Sequence, residues 1–263
     1  MDIALMILKE WSIVDEKLGA RTMSMAVVKL NTKDNFGFIN IPITKSIGFK
    51  DCIIDMLHLF LRITDNLINF LVTRLQEMDG EKSHKIELHP NFKKYVDFVE
   101  KECKLSNAYY SRNKKFLLRD LSGGEKETLF TKMKIAELFP DLPETQLVDF
   151  LWTEFFYIYN AVKRNLLAEV IAPDVIKIRT REWLTAYVKL YDKKHVTPYI
   201  HAFAFHLHEM IQIHGDVNLF NQQGMEKLND LTTQQYFRSS NKHKDDFLNQ
   251  LIKKKNRIEY VSF

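Results

Sequence analysis

From Asp55 onward the apolar residues of this chain recur at spacings of three and four, which predicts one helix after another. Leu57, Leu61, Leu67, Ile68, Leu71 and Leu75 trace a single face to about Met78, where Asp79-Gly80-Glu81-Lys82-Ser83 breaks the period. Pro90 opens a helix to about Lys101, and a polar patch follows around Ser106 to Lys115. Ser122 with Glu125 spells a capping box that starts a helix to about Phe139, stopped by Pro140 and Pro143. Glu144 or Thr145 begins a long apolar helix through Leu147, Leu151, Phe155, Ile158, Val162 and Leu166, and Pro173 begins another that runs to Tyr191. Pro198 leads a histidine-rich helix from His201 to His214, closed by Gly215. The helix carrying Glu226 continues to about Arg238, and a last amphipathic one spans roughly Lys242 to Arg257. Strand signals gather near the N-terminus. Met25 to Leu30 and Phe36 to Ile41 flank a polar turn and predict a hairpin or two edge strands, and the apolar Cys52-Ile53-Ile54 reads as a buried strand ending at Asp55.

Composition agrees with a folded, mainly α protein. The 263 residues are 46% hydrophobic with only eight glycines and six prolines, enough apolar surface for one large core or two smaller ones. A formal charge of +4 is compatible with nucleic acid but too mild to argue for it. Cys52 and Cys103 form no ligand pair and no disulfide framework, which points to a reducing compartment. An acid at position two and the lack of a basic leader exclude a signal peptide. The stretch from Cys52 to Val72 carries Asp55, His58, Arg62, Asp65 and two asparagines, so it predicts no transmembrane span. A nuclear or cytoplasmic protein without a membrane partner is expected, and no small-molecule substrate is evident.

Two acids stand out by their neighbours. Asp55 precedes His58 by one helical turn, and Glu226 shares a face with Asn229. The plain reading of Asp55 is a helix N-cap. The chemical reading is that carboxylates from a strand end and a helix serve two-metal phosphoryl chemistry, since Mg²⁺ takes several oxygen ligands. Five histidines, His195, His201, His206, His208 and His214, are spaced by six, five, two and six, not the three or four that would pair ligands on a helix. Leu121-Ser122-Gly123-Gly124-Glu125 mimics the ATP-binding-cassette signature, yet without a phosphate-binding loop it reads as the capping box alone. Trp152, Phe155, Phe156, Tyr157 and Tyr159 read as core, and Lys253-Lys254-Lys255-Asn256-Arg257 as a solvated helix end able to touch phosphate.

Three segments in order carry a family resemblance. They are Asp55-Met56-Leu57-His58-Leu59-Phe60-Leu61-Arg62-Ile63-Thr64-Asp65, then Thr197-Pro198-Tyr199-Ile200-His201, then Gly224-Met225-Glu226-Lys227-Leu228-Asn229-Asp230. Together they resemble transposon-derived proteins related to eukaryotic cut-and-paste transposases of the DDE type. The resemblance implies a partial ribonuclease H-like α/β core with a large all-helical insertion. Residues 1–79 would be the partial core with the second-acid helix, 80–192 the insertion, and 193–263 the C-terminal part with the third acid. It implies that Asp55 and Glu226 are the second and third acids and ligands of Mg²⁺ or Mn²⁺, with His58 and Asn229 beside them, and that DNA and a second copy of the chain are partners. The 54 residues before Asp55 are too few for the half-sheet that carries the first acid, so the resemblance also implies N-terminal truncation. Asp15 and Asp34 are the available substitutes for that acid. A chain with two acids of three is expected to be inactive alone, and the alternative is a non-catalytic helical module that binds protein or DNA.

Overall fold

The computed structural model describes residues 53–80, 85–106, 109–112, 115–163, 172–220, 222–239 and 252–253. Among these the protein is mainly helical. The strands expected between Met25 and Ile41, the substitutes Asp15 and Asp34, and nearly all of the helix expected from Lys242 lie outside the described residues.

Helix α1, Met56–Asp79, is the axis of the core. Its buried residues Leu59, Phe60, Ile63, Leu67, Leu71 and Leu75 repeat at three and four and are all shielded from water, each contributing on the order of 1.5–3 kcal/mol. Thr64 is buried in the same face, and its hydroxyl donates to the Phe60 carbonyl at 2.7 Å, which removes the cost of an unpaired polar group. Gly80 ends the helix with φ of 62°, a left-handed conformation that a β-carbon would strain. Asp79 then caps the next helix, α2, Pro90–Lys101: its carboxylate accepts from the Asn91 and Phe92 amides, both at 3.0 Å.

The polar patch after α2 holds an antiparallel hairpin, β1 Tyr109–Arg112 and β2 Lys115–Leu118, with Tyr109 opposite Leu118 and Arg112 opposite Lys115. Residues 80–192 are therefore not all helical. Phe116 faces inward, stacked on Phe92 at 4.9 Å, while Tyr110 and Leu117 face water in the alternation of a half-buried ribbon. Gln76 of α1 ties the hairpin down by donating to the Phe116 carbonyl at 3.1 Å.

Helix α3, Gly123–Lys132, has the predicted capping box: Glu125 N–H donates to the Ser122 hydroxyl and Ser122 N–H to the Glu125 carboxylate. It stops at Met133, whose extended backbone separates it from the single turn α4, Ile135–Leu138, so the one helix expected to Phe139 is two. Helix α5 spans Thr145–Lys163 and α6 spans Pro173–Tyr191, as the prolines and periodicity predict. Trp152, Phe155 and Tyr159 of α5 are buried as expected of a core stripe, whereas Tyr157 is exposed. The histidine-rich segment is also two helices, α7 Pro198–Phe205 and α8 Leu207–His214, parted at His206. Ile53 and Ile54 are half-buried and belong to no strand, because they lead directly into the α1 cap.

The chain divides into two compact units, Met1–Leu219 and Phe220–Phe263. Helices α1 to α8 belong to the first and α9, Gln223–Ser239, to the second. The boundaries expected after residues 79 and 192 both fall inside the first unit: α1 packs on α2, α3, α5 and α7, and α6 packs on α5, α7 and α8, so apolar faces are shared across each position. No described helix is long and apolar enough to cross a membrane.

Candidate functional site

Asp55 sits in the last extended residue before α1, with φ of −67° and ψ of 121°. There its carboxylate accepts from the amides of Leu57 at 3.4 Å and His58 at 3.2 Å, so it is the N-cap of α1. The spacing of three brings the His58 imidazole onto the same carboxylate, Nδ1 against Oδ2. Asp55 is buried and His58 partly open to water. The pairing of these two residues, legible from spacing, is thus present in the fold.

Tertiary packing adds side chains that spacing could not reveal. Tyr159, near the end of α5, stacks on Phe60 with ring centroids 4.2 Å apart and donates its hydroxyl to Glu127 of α3 at 3.3 Å. Lys163, one turn on, pairs with the same Glu127 carboxylate. Burial raises the Tyr159 hydroxyl pKa well above the usual phenol range, and the carboxylates of Glu127 and Asp55 push it further. The phenol stays protonated and acts as a hydrogen-bond donor. What this corner does chemically is hold a buried carboxylate, oriented by two amides and an imidazole, beside a neutral phenol.

Glu226 and Asn229 lie on α9 in the second unit, both exposed, and Glu226 stands in the first turn where the helix dipole favours an acid. Its own amide donates to the Gln222 carbonyl at 2.9 Å. Asp55 and Glu226 therefore belong to different units. Among the described residues no group of three or more His, Cys, Asp and Glu side chains is placed to hold a metal ion. One carboxylate that already accepts from two amides and an imidazole falls short of the oxygen set that Mg²⁺ or Mn²⁺ takes.

Substitution at Asp55 separates its roles. Asparagine keeps a good N-cap and alanine does not, so Asp55→Ala is expected to cost about 1 kcal/mol and Asp55→Asn a fraction of that. Urea midpoints of the two variants measure the difference, and equal losses would show that the pairing with His58, not the cap, is what Asp55 contributes.

The histidines form a second polar corner. His206, at the break between α7 and α8, places its Nε2 3.1 Å from Nε2 of His201 and its Nδ1 2.8 Å from the Glu209 carboxylate. His208 is buried, and its Nδ1 has no hydrogen-bond partner among the described residues. Burial lowers the His208 pKa below the ordinary 6.5; Lys177 and Arg181 of α6 and neighbouring His206 lower it further, and Glu209 opposes them. An imidazole held neutral in the fold binds fewer protons than in the unfolded chain. Its contribution to stability therefore falls as pH drops through about 6.5 and is fully lost only below the depressed folded value. His208→Leu removes the titration, so its urea midpoint should gain on that of the unaltered chain between pH 7 and pH 5. Parallel curves would refute the assignment.

Comparison of the chain with protein-family models, with curated proteins and with solved structures found no match.

Proposed function

We propose that this chain derives from a cut-and-paste transposase of the DDE type, with Asp55 in the position of the second acid and Glu226 in that of the third, and that it is catalytically incomplete by itself. The observation that carries the reading is the Asp-x-x-His step: Asp55 opens a 24-residue helix and His58 meets its carboxylate one turn in, within a chain that also holds the Thr197-Pro198-Tyr199-Ile200-His201 and Gly224 to Asp230 segments in order. On this reading a ribonuclease H-like core with a helical insertion is the ancestral architecture, and Mg²⁺ or Mn²⁺ the ancestral cofactor. Asp55 and Glu226 are residual ligands. DNA and a second copy of the chain are the partners it implies.

The second reading is a non-catalytic helical module that binds protein or DNA. It is favoured by the same carboxylate, whose oxygens are used by the α1 amides as a structural cap uses them. A nicking and strand-transfer assay in Mn²⁺ with the purified chain tests the first reading: no activity is expected. Activity lost in both Asp55→Asn and Glu226→Gln would overturn incompleteness while supporting the ancestry. DNA binding whose affinity falls steeply with salt supports contact through lysines and arginines, and salt-insensitive binding counts against it.

A further inference from the structure

A cleft of about 250 Å³ opens between α1, α2 and the loop from β2 to α3. Three cations line it, Arg62, Arg119 and Lys126, and two acids, Asp65 and Asp120. Most of this charge is already committed. Lys126 Nζ, almost wholly buried, lies 2.5 Å from Asp65 Oδ1 and also donates to the Leu61 carbonyl at 3.3 Å. Arg119 forks onto Glu125 at 2.8 and 3.3 Å and holds that carboxyl down to about 2, so this pair stays ionised at any ordinary pH. Arg62 and Asp120 remain. Both are exposed, both line the cleft, and neither has a salt-bridge partner among the described residues.

The rest of the wall is mixed, with Asn69 and Tyr95 as its uncharged polar residues. Ile68, Val99, Leu118 and Leu121 line it, and so does Tyr95, which is 1% exposed and has no hydrogen-bond partner for its hydroxyl among the described residues. A ligand oxygen in the cleft would give that hydroxyl a partner. The volume is below that of drug-sized sites, which limits the occupant to a small molecule.

We propose that this cleft binds a free aliphatic α-amino acid, with its carboxylate on Arg62 and the Tyr95 hydroxyl, its ammonium on Asp120, and its side chain against Ile68, Val99, Leu118 and Leu121. One uncommitted charge of each sign selects a zwitterion. A phosphate dianion would lack a second free cation and would meet Asp120 as a like charge. The proposal is independent of the transposase reading.

The test is calorimetric titration of the full chain with L-leucine, 4-methylpentanoate, isoamylamine and inorganic phosphate. Leucine should bind, more tightly than the acid that lacks the ammonium or the amine that lacks the carboxylate, and phosphate should not bind. Arg62→Ala should weaken leucine and the acid at least about tenfold and leave the amine unchanged, while Asp120→Asn should do the reverse. Tyr95→Phe should weaken leucine while leaving the free protein as stable or more stable, because the hydroxyl it deletes has no partner; loss of stability would place that hydroxyl in the core and not the cleft. Absence of leucine binding at tens of millimolar, preference for phosphate, or leucine affinity untouched by both charge variants would overturn the proposal.

Discussion

Phe60→Ala is expected to destabilise the first unit by about 3–5 kcal/mol, enough to unfold much of the population of an ordinary domain. Phe60 is fully buried at the point where α1, α3 and α5 meet. Its ring stacks on Tyr159 at 4.2 Å and on Phe155 at 6.2 Å and meets Phe130 edge-on at 6.3 Å. Removing it deletes the transfer energy of a phenyl ring and leaves a cavity walled by rings anchored on two other helices, α3 and α5, which limits their collapse. Phe60→Leu refills most of the space and should cost well under half as much. Urea melts of the two variants decide the matter: similar midpoints would mean that the aromatic cluster repacks freely and that shape is not what holds these helices together.

The Lys126–Asp65 pair should show an asymmetry. Asp65→Ala leaves the Lys126 ammonium buried with only the Leu61 carbonyl, and is expected to cost about 2–3 kcal/mol, below the full penalty for orphaning a buried charge because Asp65 itself is partly open to water. Lys126→Met leaves a carboxylate that water can reach and puts a thioether where the lysine stem ran, so a change within about 1 kcal/mol is expected. The order of the two midpoints is the measurement. If Lys126→Met is the more damaging, mutual attraction outweighs burial of the charge, and Lys126 is better described as a tether between α1 and α3.

How far the sequence reveals the fold depends on where each structural cause resides. Pro90, Pro173, Pro198, Gly80 and the Ser122–Glu125 box mark helix ends by local chemistry, and each stands where the pattern puts it. The hairpin is not legible, because Ser111 to Lys115 is polar, has no glycine at the turn, and is held by tertiary contacts such as Phe116 packing on Phe92 and His89 and Gln76 reaching the Phe116 carbonyl. The breaks at Met133 and His206 were hidden by apolar periodicity that runs through both. The same division holds at the site. Asp55 and His58 meet through a spacing of three, whereas Glu127, Tyr159 and Lys163 arrive from two other helices, and no pattern along the chain announces them.

The aromatic density of the core also makes the two units optically distinguishable. Of the three tryptophans in the sequence, Trp11 lies outside the described residues, and the other two are locked in place: Trp152 stacks on Phe130 at 4.0 Å, and Trp183 donates its indole N–H to the Leu151 carbonyl at 2.8 Å. Rings held rigidly in asymmetric apolar surroundings give blue-shifted emission and strong near-ultraviolet circular dichroism. Residues 220–263 contain no tryptophan and are silent in that emission, yet α9 adds to the far-ultraviolet helix signal. A melt followed at both wavelengths thus carries its own internal comparison, in which helix signal lost apart from the tryptophan transition reports helix not coupled to Trp152 and Trp183, α9 among it.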